Sequence, residues 1–89
     1  AAPRPLLVLL PGMDGTGRMF EPFLHAASDF ETRVVRYPPE LRHADCTAFA
    51  RTQLPSGRPF LLLGESFSGP VALALAAERP AGLAGVVLV

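Results

Sequence analysis

An α/β fold, a parallel sheet with crossover helices on both faces, is predicted by three observations. Short apolar runs of strand length recur at Leu6 to Leu10, Phe60 to Leu63 and Gly85 to Val89, each bounded by Gly or Pro. The stretches between them carry apolar residues at helical spacing, so strand and helix alternate along the chain. The runs are continuously apolar, which is the pattern of strands covered on both faces.

Each element has its own signal. The first strand, Leu6 to Leu10, runs into a Gly-rich loop, Pro11-Gly12-Met13-Asp14-Gly15-Thr16-Gly17. The first helix places Met19, Phe20, Phe23, Leu24 and Ala27 in one stripe, and Pro22 is tolerated only near a first turn, so the helix is expected from about Arg18. A more alternating strand, Thr32 to Tyr37, ends at Pro38-Pro39. The second helix is expected from Asp45, as N-cap, through Cys46, Phe49, Ala50 and Leu54 to the Pro55-Ser56-Gly57 stop. The third, Phe67 to Glu78, is Ala-rich, which permits close packing on the sheet, and Arg79-Pro80 closes it.

Composition removes several classes of function. The 89 residues suffice for one domain, and 49% hydrophobic with 18% charged residues is too apolar for a disordered chain. Eight Arg, no Lys and eight acidic residues give a net charge of zero, so the sequence has no electrostatic footprint for nucleic acid or an anionic membrane. A single Cys excludes an internal disulfide and any C-x-x-C metal or redox motif, and neither metal nor cofactor is expected. No apolar stretch approaches the about 20 residues of a membrane span, and Ala1 to Pro5 lack a signal-peptide pattern, so a cytoplasmic location is expected. The Gly-rich loop reads G-x-x-G-x-G, the wrong order for a dinucleotide fingerprint, and no G-K-[ST] follows, so a nucleotide site is not expected.

The chemistry concentrates in Phe60-Leu-Leu-Leu-Gly64-Glu65-Ser66-Phe67-Ser68-Gly69-Pro70-Val71-Ala72. A buried strand runs into a serine flanked by small residues and straight out into a helix. A turn that sharp strains its central residue and demands small side chains two positions away, which Gly64 and Ser68 provide. It raises the Ser66 hydroxyl at the C-terminal end of the sheet, over a helix N-terminus that favours negative charge. Ser66 as a simple N-cap accounts for the serine and not for the spacing. Ser68 as the reactive residue would need small neighbours at 66 and 70, and Pro70 is awkward there.

This segment resembles the nucleophile elbow G-x-S-x-G of the α/β-hydrolase family, with Ser68 in place of the second Gly and Gly69 immediately after it. The resemblance implies a strand order of second, first, third, fourth, and a nucleophilic Ser66. It implies an oxyanion hole formed by the backbone N–H groups of Met13 and Phe67, with Gly12 shaping the first loop, where Pro11 stands in the place of the family's usual His. It implies a serine hydrolase acting on a small-molecule ester, thioester or related acyl substrate through an acyl-enzyme, with no cofactor. An acyltransferase of the same fold, or a catalytically incomplete binding or scaffold module, is the alternative.

The family places its base, a His, after the nucleophile, and after Ser66 this chain has Glu78 and no His. Residues 1–89 are therefore expected to be a partial hydrolase domain, cut on the C-terminal side and, since it opens on Ala1 without Met, on the N-terminal side as well, with Gly85 to Val89 as an exposed apolar edge. His25 and His43 are expected to be solvated, Glu78 to be surface charge and Cys46 to be a buried helix residue. Glu65 either lines a pocket or caps backbone. Arg33, Arg36, Arg42 and Arg51 form either a patch around the crevice or a solvated face.

Overall fold

Five consecutive apolar residues make β1 (Leu6–Leu10) the most deeply buried strand, every one of its side chains covered. Burying a side chain of this size contributes about 1.5–3 kcal/mol, so this run anchors the sheet. A computed structural model describes residues 4–12 and 18–89, apart from the Met19 side chain. Around β1 the chain builds an all-parallel sheet in the order β2-β1-β3-β4, with β2 at Thr32–Val34, β3 at Phe60–Gly64 and β4 at Leu83–Leu88. The fold is α/β, with the strand order that the resemblance implies.

Register fixes which ends meet. Leu6 pairs with Phe60 and Leu10 with Gly64, so β1 and β3 finish level at their C-terminal ends. β4 pairs Leu83 with Phe60 but Gly85 with Leu61, one residue out of step, and Gly64 pairs with Leu88. β2 is shorter than the apolar run that predicts it. Val35 still donates to the Leu9 carbonyl at 2.9 Å, but β1 is then succeeded by Pro11, which has no N–H to extend the ladder.

Two layers flank the sheet. On one face Leu6, Val8, Leu10, Phe60 and Leu62 pack against Val35, Tyr37, α2 (Cys46–Thr52) and α3 (Ser68–Ala77). On the other, Leu7, Leu9, Leu61 and Leu63 meet Phe20 and Leu24 from a 3-10 turn (Arg18–Phe20) and α1 (Glu21–Ala26). The α1 face is the thinner one. α1 has no buried residue, and Phe23 is 36% exposed. Along β4, Val87 and Leu88 are about half exposed, as an apolar edge strand was expected to be.

Helix starts depart from expectation in one instructive way. Asp45 stands at the N-cap of α2, but in a helical conformation (φ −99°, ψ −2°) and without a capping hydrogen bond. A 3-10 turn at His43–Asp45 precedes the helix, and its Asp45 and Cys46 amides already bond the carbonyls of Arg42 and His43. The first amides need no side-chain acceptor. The Asp45 carboxylate instead accepts a hydrogen bond from Arg42 Nε at 3.2 Å. The α3 helix starts at Ser68, with Phe67 as its N-cap, and Pro70 falls in the first turn, where a missing N–H breaks no helical bond.

Candidate active site

The turn between β3 and α3 contains a non-glycine residue with left-handed backbone, Ser66, at φ 55°. Such a conformation is rare for a residue with a β-carbon and needs support from its surroundings. The support is visible. A β-carbon on Gly64 would lie 2.7 Å from the Ser68 carbonyl oxygen and 3.0 Å from Ala72 Cβ, so the returning helix occupies the space a larger residue would need. Gly69 differs. A β-carbon there would meet only Leu88 Cδ2, at 4.0 Å, an ordinary contact.

Backbone bonds clamp the turn on both sides. Glu65 N–H donates to Leu10 O at 3.1 Å, Ser66 N–H to Val89 O at 3.1 Å, and Val89 N–H to Gly64 O at 3.0 Å. Ser68 and Gly69 donate back to Glu65 and Ser66 at 3.0 and 2.9 Å. The Phe67 N–H has no backbone partner among the described residues. Ser66 itself is exposed, at the C-terminal end of the sheet where α3 begins.

The loop after β1 reaches the same place. Ser68 is completely buried, and its hydroxyl donates to the Pro11 carbonyl while lying 2.8 Å from Tyr37 Oη. A serine hydroxyl has one proton, so the Tyr37 phenol is the donor in the second bond. Burial pushes the Tyr37 phenol above its ordinary value, against a smaller opposing effect of the Ser68 hydrogen bond, and it remains a protonated donor at neutral pH. Beyond Pro11, a β-carbon on Gly12 would lie 3.0–3.4 Å from the Glu65 carboxylate. Met13, the expected second oxyanion donor, lies outside the described residues, as do Asp14, Gly15, Thr16 and Gly17.

Aromatic rings wall one side of the turn. Phe67 packs against Tyr37 at 5.9 Å and His43 at 5.2 Å between ring centroids, and Tyr37 meets Phe49 edge-on at 6.2 Å. His43 is exposed, as expected, yet its ring rests on the residue after Ser66. His25 is exposed on α1. On the opposite side a cavity of about 330 Å³ is lined by Phe20, Phe23, Leu63, Glu65, Val87 and Val89. Glu65 thus both lines the cavity and covers Gly12, and its Oε2 is buried without a hydrogen-bond partner among the described residues.

The remaining sequence candidates resolve to local structure. Glu78 caps the far end of α3 and forms a paired hydrogen bond with Arg51, which holds its carboxyl below the usual carboxylate range. Arg33 bonds the Gln53 carbonyl at 2.7 Å and Arg42 pairs with Asp45, so these guanidinium groups serve separate partners. Cys46 is buried, and burial pushes its thiol up, so it stays protonated at neutral pH. Among the described residues no three metal-binding side chains converge, and no helix is long and apolar enough to cross a membrane.

No family model, curated protein or solved structure matches the chain. The reading of the site therefore rests on its geometry. One participant escaped the sequence reading altogether. Tyr37, the chain's single Tyr, ends the β2 run, and its only sequence-level signal is that a buried phenol requires a hydrogen-bond partner. That partner is 31 positions away.

Proposed function

We propose that this chain carries the nucleophile and oxyanion half of a serine hydrolase of the α/β-hydrolase type, acting on carboxylic esters, thioesters or related acyl bonds. The observation that carries the reading is the Ser66 turn: an exposed hydroxyl on a left-handed residue between strand and helix, followed by the Phe67 amide, which has no backbone partner among the described residues. An amide at that point favours a developing alkoxide, and a donor so placed is commonly worth a few kcal/mol of barrier. The apolar cavity beside it suits the acyl portion of a substrate.

In this mechanism the Ser66 Oγ attacks the substrate carbonyl carbon and its proton passes to a base. The tetrahedral oxyanion is held by the Phe67 N–H and, by the resemblance, the Met13 N–H. The bond to the leaving alcohol or thiol then breaks, the base returns the proton to it, and an ester on Ser66 remains. Water, deprotonated by the same base, releases the acid and restores the hydroxyl. No His follows Ser66 in residues 1–89, so this reading takes its base from outside them.

The second reading is a binding or scaffold module with no chemistry. Turnover of a short-chain p-nitrophenyl ester separates the two. The hydrolase reading expects a chain that carries a His after Ser66 to turn the ester over with an initial burst, and Ser66→Ala to lose at least roughly 10³-fold in kcat. Equal turnover by Ser66→Ala would exclude Ser66 as the nucleophile, and no turnover by the His-carrying chain with Ser66 intact would favour the binding module.

A further inference from the structure

We propose that Ser68 is a positioning residue, which bolts the end of β1 to the Ser66 turn and so fixes the Pro11-Gly12 peptide, one residue before Met13. The proposal rests on the hydrolase reading for its catalytic consequence, but the bolt itself is a separate physical claim. In a tight turn position 68 has only to be small, and glycine would meet that need. Ser68 does more. It is the only fully buried polar side chain among the described residues, and both its donor and its acceptor capacity are used.

The hydroxyl proton goes to the Pro11 carbonyl, 57 positions away, and the oxygen accepts from Tyr37. A peptide unit is planar and rigid, so fixing the Pro11 carbonyl also fixes the direction of the Gly12 N–H and the position of its Cα. From the other side the Glu65 carboxylate sits 3.0–3.4 Å from where a Gly12 β-carbon would be. The Pro11-Gly12 peptide is thus held between residues 65 and 68, the two positions that bracket Ser66 and Phe67. Tyr37 locks the bolt, because a phenol that donates to Ser68 Oγ leaves the serine proton free to point only at Pro11. Loss of the hydroxyl would leave the turn sterically intact while freeing the first loop relative to Ser66, and displacements of about 1 Å at such a site cost up to roughly 10²-fold in rate.

The test combines a kinetic and a spectroscopic readout on a chain that carries a His after Ser66, called the unmodified protein below. Covalent labelling of Ser66 by a fluorophosphonate is followed as kinact and KI for the unmodified protein, Ser68→Gly, Ser68→Ala and Tyr37→Phe. The proposal expects kinact to fall roughly 10- to 100-fold in both Ser68 variants with KI unchanged, and by less in Tyr37→Phe, which keeps the bond to Pro11. It also expects a slowly exchanging Ser68 hydroxyl proton in the unmodified protein and a shift of the ¹³C-labelled Pro11 carbonyl resonance in Ser68→Ala. Labelling of Ser68→Gly at the unmodified rate overturns the catalytic role, and a fast-exchanging hydroxyl or an unmoved Pro11 resonance overturns the bolt. If the unmodified protein does not label, the hydrolase reading and the catalytic role fail together, and the two spectroscopic signals still decide whether the bolt exists.

Discussion

Ser66 holds a conformation that costs about 1–2 kcal/mol for a residue with a β-carbon, and its neighbours make the alternative worse. Gly64 leaves room for the Ser68 carbonyl, while a β-carbon on Gly69 would make only an ordinary contact with Leu88. The two glycines therefore respond differently to the same change. Gly64→Ala forces a β-carbon against backbone and is expected to lower the urea unfolding free energy by about 1–3 kcal/mol. Gly69→Ala is expected to stay within about 1 kcal/mol of the unmodified protein. Equal destabilisation by both would mean that the turn tolerates displacement of α3 and that Gly64 is not a steric requirement. At this scale the sequence was informative where spacing encodes a collision, as at 64 and 68. It was silent on Tyr37, because a hydrogen bond between residues 31 apart leaves no local pattern.

Three elements depend on the buried polar cluster: the segment after β2, the loop after β1, and the start of α3. Burial raises the Tyr37 phenol above the about 10 of an exposed tyrosine, and the Cys46 thiol above the about 8.5 of an exposed cysteine. In both cases the folded state favours the neutral form, so the contribution is complete below the unfolded value and is lost as pH rises through the folded one. Urea midpoints are expected to be insensitive to these groups at pH 7–8 and to fall progressively from about pH 9 upward. In Tyr37→Phe the part of that decline beginning near pH 10 should disappear. An unchanged decline in Tyr37→Phe would show that the phenol is not the titrating group. The elements themselves were legible from periodicity, since Leu6–Leu10 reads as a buried strand on composition alone. Their edges were not. Pro11 cuts β2 short, and a 3-10 turn relieves Asp45 of the capping role its residue type suggests.

Across the whole molecule, the parallel order β2-β1-β3-β4 makes the chain depart in opposite directions from β1 and from β3. Pro11 and Gly12, after β1, and the Ser66 turn, after β3, then lie together at the C-terminal strand ends, where open α/β sheets bind ligands. Both were singled out in the sequence as a Gly-rich loop and a serine turn, but their meeting through Ser68 and Pro11 is a property of the fold alone. The face carrying Leu61, Leu63 and α1 is less covered than its opposite, and the cavity lined by Leu63 and Glu65 opens there. The central claim is that Ser66 is an activatable nucleophile, and the most direct measurement is the site of a fluorophosphonate adduct mapped by peptide mass spectrometry. In a chain carrying a His after Ser66, the adduct is expected on Ser66, lost in Ser66→Ala and retained in His43→Ala, with residues 1–89 alone labelled only at background rate. An adduct on any other residue, or undiminished labelling of Ser66→Ala, would contradict the account.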